Sequence, residues 1–143
     1  MSRDDFEPNA VTAALLAEGL HIDADEDNAT WSLSFEILTR EQSCVLVVPP
    51  EGNYLLALAP IFTPALERPL DELPARTLRT IIKLQSESVL AKFSTFRADE
   101  DTLYVTISPC PLEAWDGELL RKRLHACAEL AVHIRLALAD AGE

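Results

Sequence analysis

Glycine is scarce in this sequence, with four in 143 residues and no two of them adjacent. A loop that cradles phosphate needs clustered glycines so that backbone amides can close on the anion, so a nucleotide loop of that kind is excluded. Cysteine is also sparse. Cys44, Cys110 and Cys127 are odd in number, widely spaced and without a CxxC, which fits neither a disulfide framework nor a zinc site and leaves reduced thiols. Positive charge is the third shortage: 12 Lys and Arg stand against 24 Asp and Glu, for a net charge of −12. Such a chain has no general means of displacing counterions from a phosphate backbone or an anionic membrane, so neither nucleic acid nor membrane is an expected partner. No apolar run reaches the 18 or more residues that cross a bilayer, and Met1-Ser2-Arg3-Asp4-Asp5 has no signal-peptide character. The expectation is a cytoplasmic protein.

What the sequence does have is apolar material: 48% of it is hydrophobic, enough for one domain spanning 1–143 with an ordinary core. The spacing of Val11, Ala14, Leu15 and Glu18 predicts a helix from Asn9 to Leu20, with Asn9 as cap and Gly19 as stop. After the polar stretch Asp23 to Asn28, Trp31, Leu33, Phe35 and Ile37 alternate with polar residues as a strand. Thr39 to Gln42 reads as a turn, Cys44 to Val48 as a second strand, Pro49 to Asn53 as another turn, and Tyr54 to Ala59 as a third strand. Prolines at 60, 64, 69 and 74 punctuate a segment that is either an ordered crossover or a mobile loop. A helix follows Pro74 to about Ser88, with Leu78, Ile81, Ile82 and Gln85 on one side and Arg79, Lys83 and Glu87 opposite. Leu90 to Ala98 and Leu103 to Ile107 form a hairpin about the turn Asp99-Glu100-Asp101, and Pro109-Cys110-Pro111 breaks its second strand. Asp116 caps a long last helix to Asp140, on which Leu120, Leu124, Cys127, Ala131, Ile134 and Leu138 form one stripe. The fold class is α+β, an antiparallel sheet of about five strands packed by helices in the order α-β-β-β-α-β-β-α.

Three constellations invite chemistry and each reads as structural. Asp23, Asp25 and Asp27 stand at positions 1, 3 and 5 of a calcium loop, but position 6 is Asn28 instead of Gly and position 12 is Ser34 instead of Glu. His125, Glu129 and His133 share a helix face, yet the outer two lie roughly 12 Å apart at helical rise, too far for one ion. No elbow positions a Ser or Cys nucleophile; Cys44 and Cys127 fall in apolar runs, and Cys110, between prolines, is the one thiol expected to be reachable. No catalytic, metal or cofactor site is expected, and the chain is read as not an enzyme. The alternative is a small enzyme or ligand-binding protein whose cleft the sequence does not reveal. Residues 76–98 carry +4 between acidic flanks, either a complement to those flanks or a subunit or partner face.

The order of elements, the acidic character, the stretch Leu73-Pro74-Ala75-Arg76-Thr77-Leu78-Arg79-Thr80-Ile81-Ile82 leading to Leu90-Ala91-Lys92-Phe93, the Asp99-Glu100-Asp101 turn, Leu103-Tyr104-Val105 and the helix capped at Asp116 together resemble the type III secretion chaperone-like fold. Within it the chain is most similar to the YbjN-type family. The resemblance implies a protein-binding module, chaperone-like or regulatory, that acts as a homodimer and holds apolar segments of a partner protein. Such a module would use patches left on a half-covered sheet, or its edge strands. The helix carrying Leu78, Ile81 and Ile82, with Arg79 and Lys83 beside them, is the candidate partner or dimer face.

Overall fold

A computed structural model describes residues 6–50, 52–98 and 101–140. Helix α1 (Pro8–Ala17) leads into strands β1 (Asp23–Asp25), β2 (Thr30–Ile37), β3 (Arg40–Val47) and β4 (Tyr54–Pro60). Helix α2 (Ala75–Ser86), strands β5 (Lys92–Ala98) and β6 (Asp101–Pro111) and helix α3 (Gly117–Asp140) complete the chain. The strands form one antiparallel sheet in the order β1-β2-β3-β4-β6-β5. The α+β class holds, with six strands in place of the expected five. The additional one is β1, whose Asp-Ala-Asp sequence carries no strand signal; it pairs with Thr30–Ser32 while its side chains stay exposed.

Helix α1 begins one residue earlier than expected, at Pro8, and Glu7 rather than Asn9 occupies the cap position. The fixed φ of proline suits a first helical turn without any side-chain cap. Its other end follows the sequence closely. Gly19 adopts φ +80°, its N–H donates to the Leu16 carbonyl, and the Leu20 N–H donates to Leu15, the double closure that a left-handed Gly permits.

The β2–β3 connection is tighter than expected. Strand β3 runs through Arg40-Glu41-Gln42, and only Leu38 and Thr39 make the turn, at φ +51° and +65°. Two positive φ values match the twist of a two-residue hairpin, but for residues with a Cβ they cost about 1–2 kcal/mol each. The β5–β6 turn at Asp99 and Glu100 lies outside the described residues, as do Met1–Asp5 and Glu51.

Strand β6 does not break at Pro109-Cys110-Pro111 but continues through them, paired to β4 with Leu56 opposite Pro109 and Tyr54 opposite Pro111. The Tyr104 carbonyl accepts from Ile61 N–H, so the even-numbered residues of β6 aim their backbone groups toward β4. The two prolines aim the other way, where β5 has ended, since its first residue Lys92 pairs with Ile107. The missing N–H groups have no ladder to break. The 60–74 crossover is ordered by two 3₁₀ turns, Pro64–Leu66 and Leu70–Glu72. It is anchored by buried Ala65, Leu66 and Leu73 and by the Tyr104 hydroxyl, which donates to the Arg68 carbonyl at 2.6 Å.

Helix α3 lies across β2, β3, β4 and β6, with α1 and α2 beside it. Its cap forms as read, Leu119 N–H donating to Asp116 Oδ1 at 2.8 Å, and all six residues of the expected stripe are buried. Trp31, Leu46, Leu55, Leu124 and Ile134 lie in the main core, between the helices and one face of the sheet.

Candidate binding faces

Alternation in the strands divides the sheet into two surfaces. Leu55, Ala57 and Ala59 of β4 and Tyr104 of β6 point into the helix-covered core. Leu56, Leu58 and Val105 point the other way and form a second apolar cluster, rimmed by half-buried Val45, Val47, Tyr54, Phe96, Leu103 and Ile107. Every one of these nine residues belongs to β3, β4, β5 or β6, so among the described residues no helix covers this face. On β1 and β2 the same side of the sheet turns polar, with Asp23, Asp25, Ser32, Ser34 and Glu36 exposed. Half of the sheet's outer surface is thus apolar and half is acidic and hydroxylic.

Helix α2 places the five singled-out residues in two groups. Ile81 is 1% exposed and Leu78 packs against the core, because α2 lies on α3 and β5. One step of 100° carries Ile82 out of that contact. It is 58% exposed, on the solvent side with Arg79 and Lys83 rather than opposite them. Beyond the helix Val89 is 90% exposed. The outer row is therefore Arg79, Ile82, Lys83, Glu87 and Val89, with no ion pair to Lys83 or Glu87 among the described residues. The end of α2 is secured from β5: Lys92 Nζ donates to the Gln85 and Ser88 carbonyls, and Phe93 N–H donates to Gln85 Oε1. A lysine there also suits the negative end of the helix.

The remaining constellations fall into place around these faces. His125 packs edge-on to Phe35 at 5.3 Å, whereas Glu129 and His133 line a cleft of about 360 Å³ between α3 and the 84–90 segment. Among the described residues no three His, Cys, Asp or Glu side chains gather as a metal site. Asp25 accepts from Asn28 Nδ2, a local turn bond. Cys110, expected to be reachable, is 1% exposed, because continued β6 pairing turns it toward the core. Burial raises the thiols of Cys44 and Cys127 from 9.0 to about 12 and that of Cys110 in the same direction, which disfavours the nucleophilic thiolate. No described helix is long and apolar enough to cross a membrane.

The sheet with its three flanking helices has a counterpart among solved structures. A chain of the structure of the HopA1–SchA chaperone–effector complex matches it with a TM-score of 0.58 at 13% identity, over 90% of this chain and 91% of that one. At that identity the likeness is one of fold. No protein-family model matches the chain, and no curated protein matches it significantly in sequence.

The resemblance implies patches on a half-covered sheet without naming the open face. The signal was present in Tyr54-Leu55-Leu56-Ala57-Leu58-Ala59, where both alternating sets are apolar. A strand apolar on both sides either lies between two layers or leaves one side for a partner.

Proposed function

We propose that this chain is a non-enzymatic, chaperone-like protein-binding module of YbjN type, working without a cofactor as a cytoplasmic homodimer that holds apolar segments of a partner protein. The observation that carries the reading is the uncovered apolar face of β3–β6. The end-to-end likeness in fold to a chain of a chaperone–effector complex supports it.

Magnitudes favour a multi-point grip. The six rim side chains are half-buried already, so covering each yields about 1 kcal/mol and together about 6 kcal/mol. Association costs at least about 4 kcal/mol, so one face alone retains little net affinity. Two faces joined in one particle restore it through effective concentration. The outer row of α2 is suited to that joining. Set antiparallel to a second copy about an axis near Gln85, it brings Lys83 to Glu87 of the other copy and Ile82 to Val89, an isologous and self-complementary arrangement.

Light scattering of the full chain is expected to give twice 15.8 kDa, and the pair Ile82→Glu with Val89→Glu to give the monomer. In an assay of reduced, aggregating insulin, the wild-type chain delays the rise in turbidity and Val47→Lys with Ile107→Lys does not. Equal protection by that variant, with circular dichroism unchanged, would remove the sheet face from the function.

A further inference from the structure

We propose that a second site, at the end of the molecule where β3 begins and α3 ends, receives a carboxylate side chain borne on an apolar segment of a partner polypeptide. This rests on the protein-binding reading above only for the kind of molecule that carries the carboxylate.

A pocket of about 210 Å³ lies there, lined by Arg40, Phe62, Thr63, Arg135, Leu136 and Ala139. Two of its six residues are arginines and none is acidic. Neither arginine has an ion pair among the described residues. In a chain with twice as many acids as bases, a pocket edged by two cations and by no acid among its lining residues is a local reversal of the field.

The site is built, not incidental. Gln42 is 3% exposed; its Nε2 donates to the carbonyls of Pro60 and Ser43, and its Oε1 accepts from Arg135 Nη1 at 2.8 Å. A buried amide with both ends engaged holds one nitrogen of the guanidinium, and among the described residues no other hydrogen bond takes its remaining donors. Arg40 is fixed from the opposite side as the first residue after the Leu38–Thr39 turn, paired with Ile37. Phe62 stands 70% exposed at the pocket, a large apolar side chain that nothing within the described residues covers.

The lining selects the ligand. A polyanion is repelled by the net charge of −12, and inorganic phosphate, although a guanidinium can bind it, has no apolar part to set against Phe62, Leu136 and Ala139. A carboxylate with apolar neighbours satisfies both halves, since the guanidinium fork matches its two oxygens. The pocket also shares Phe62 and Thr63 with a groove of about 330 Å³ that runs on past Leu66, Leu103 and Tyr104. That continuation gives room for flanking side chains, which favours a peptide over a small free acid.

The test is a titration of the full ¹⁵N-labelled chain at low salt with a blocked hexapeptide holding one Glu among Leu and Ala residues, with the same peptide holding Gln, and with butyrate. The Glu peptide is expected to bind at least tenfold more tightly than the Gln peptide, moving the amides of Thr63, Arg135 and Leu136. Arg40→Gln, an exposed change with no packing role, is expected to weaken it at least fivefold, and Phe62→Ala likewise. Arg135→Lys keeps the charge but loses the fork and falls between. Equal affinity for the two peptides, affinity unchanged in Arg40→Gln, or no saturation at millimolar peptide would each overturn the site. Butyrate binding as tightly as the Glu peptide would overturn its assignment to a polypeptide. Shifts confined to Val47, Leu56 and Ile107 would overturn it while leaving the sheet face as the partner surface.

Discussion

Cys44 and Cys127 meet across the interface of sheet and helix, the first thiol donating to the Leu124 carbonyl and the second to that of Ala57. Burial holds both protonated to about pH 12, whereas an ordinary thiol releases its proton near 9.0. Between those values the unfolded chain binds fewer protons than the folded one, so stability falls as pH rises. Each thiol contributes a slope of about 1.4 kcal/mol per pH unit above about pH 9 and none below it. Denaturant midpoints measured at pH 8, 9 and 10 should therefore drop over the second interval more than the first. Cys127→Ala should remove its own part of that drop and leave the parts of Cys44 and Cys110. A midpoint as steep in Cys127→Ala as in the wild type would show that other alkaline groups set it.

At the scale of elements, α1 and α3 meet where a side chain has no room. A Cβ on Gly117 would stand 2.9 Å from the Ala14 carbonyl oxygen, and Glu18 of the same helix end pairs with Arg121 at 2.9 Å. Backbone cannot step aside cheaply, so Gly117→Ala should cost about 1–3 kcal/mol despite the better helix propensity of Ala, lowering the melting temperature by several degrees. A variant as stable as the wild type would mean that α1 shifts freely on α3.

The elements that local chemistry dictates were the ones legible in sequence: the Gly19 stop, the Asp116 cap, the Trp31–Ile37 alternation and the stripe of α3. Those decided by neighbours were not. Strand β1 exists only because β2 offers it an edge, and Pro109 and Pro111 remain in a strand only because β5 is short. Ile82 faces solvent, opposite to what its apolar character suggests, because that character alone does not say which of two apolar neighbours faces inward. The pocket of Arg40 and Arg135 joins residues 95 positions apart in sequence, and spacing carries no trace of it.

At the scale of the molecule, charge and the open face act on each other. A net charge of −12 keeps copies apart while their apolar β3–β6 surfaces remain uncovered. As pH falls toward the sequence pI of about 4.6 that repulsion vanishes, and particle mass by light scattering should climb above its value at neutral pH. Val47→Lys with Ile107→Lys should hold its mass through the same titration. Parallel growth of both proteins would place the sticky surface elsewhere.

The three residues of β1 bear on how such a molecule survives being made in quantity. An open sheet invites the next copy to continue it sideways, and a ribbon grown that way is the beginning of a fibre. At the β1 edge the row that β1 itself offers a newcomer is one short step long, and it presents Asp23 and Asp25 to any strand that carries the same pair. A second copy laid along β1 would gain three residues of pairing and set like charges side by side, which disfavours growth from that strand.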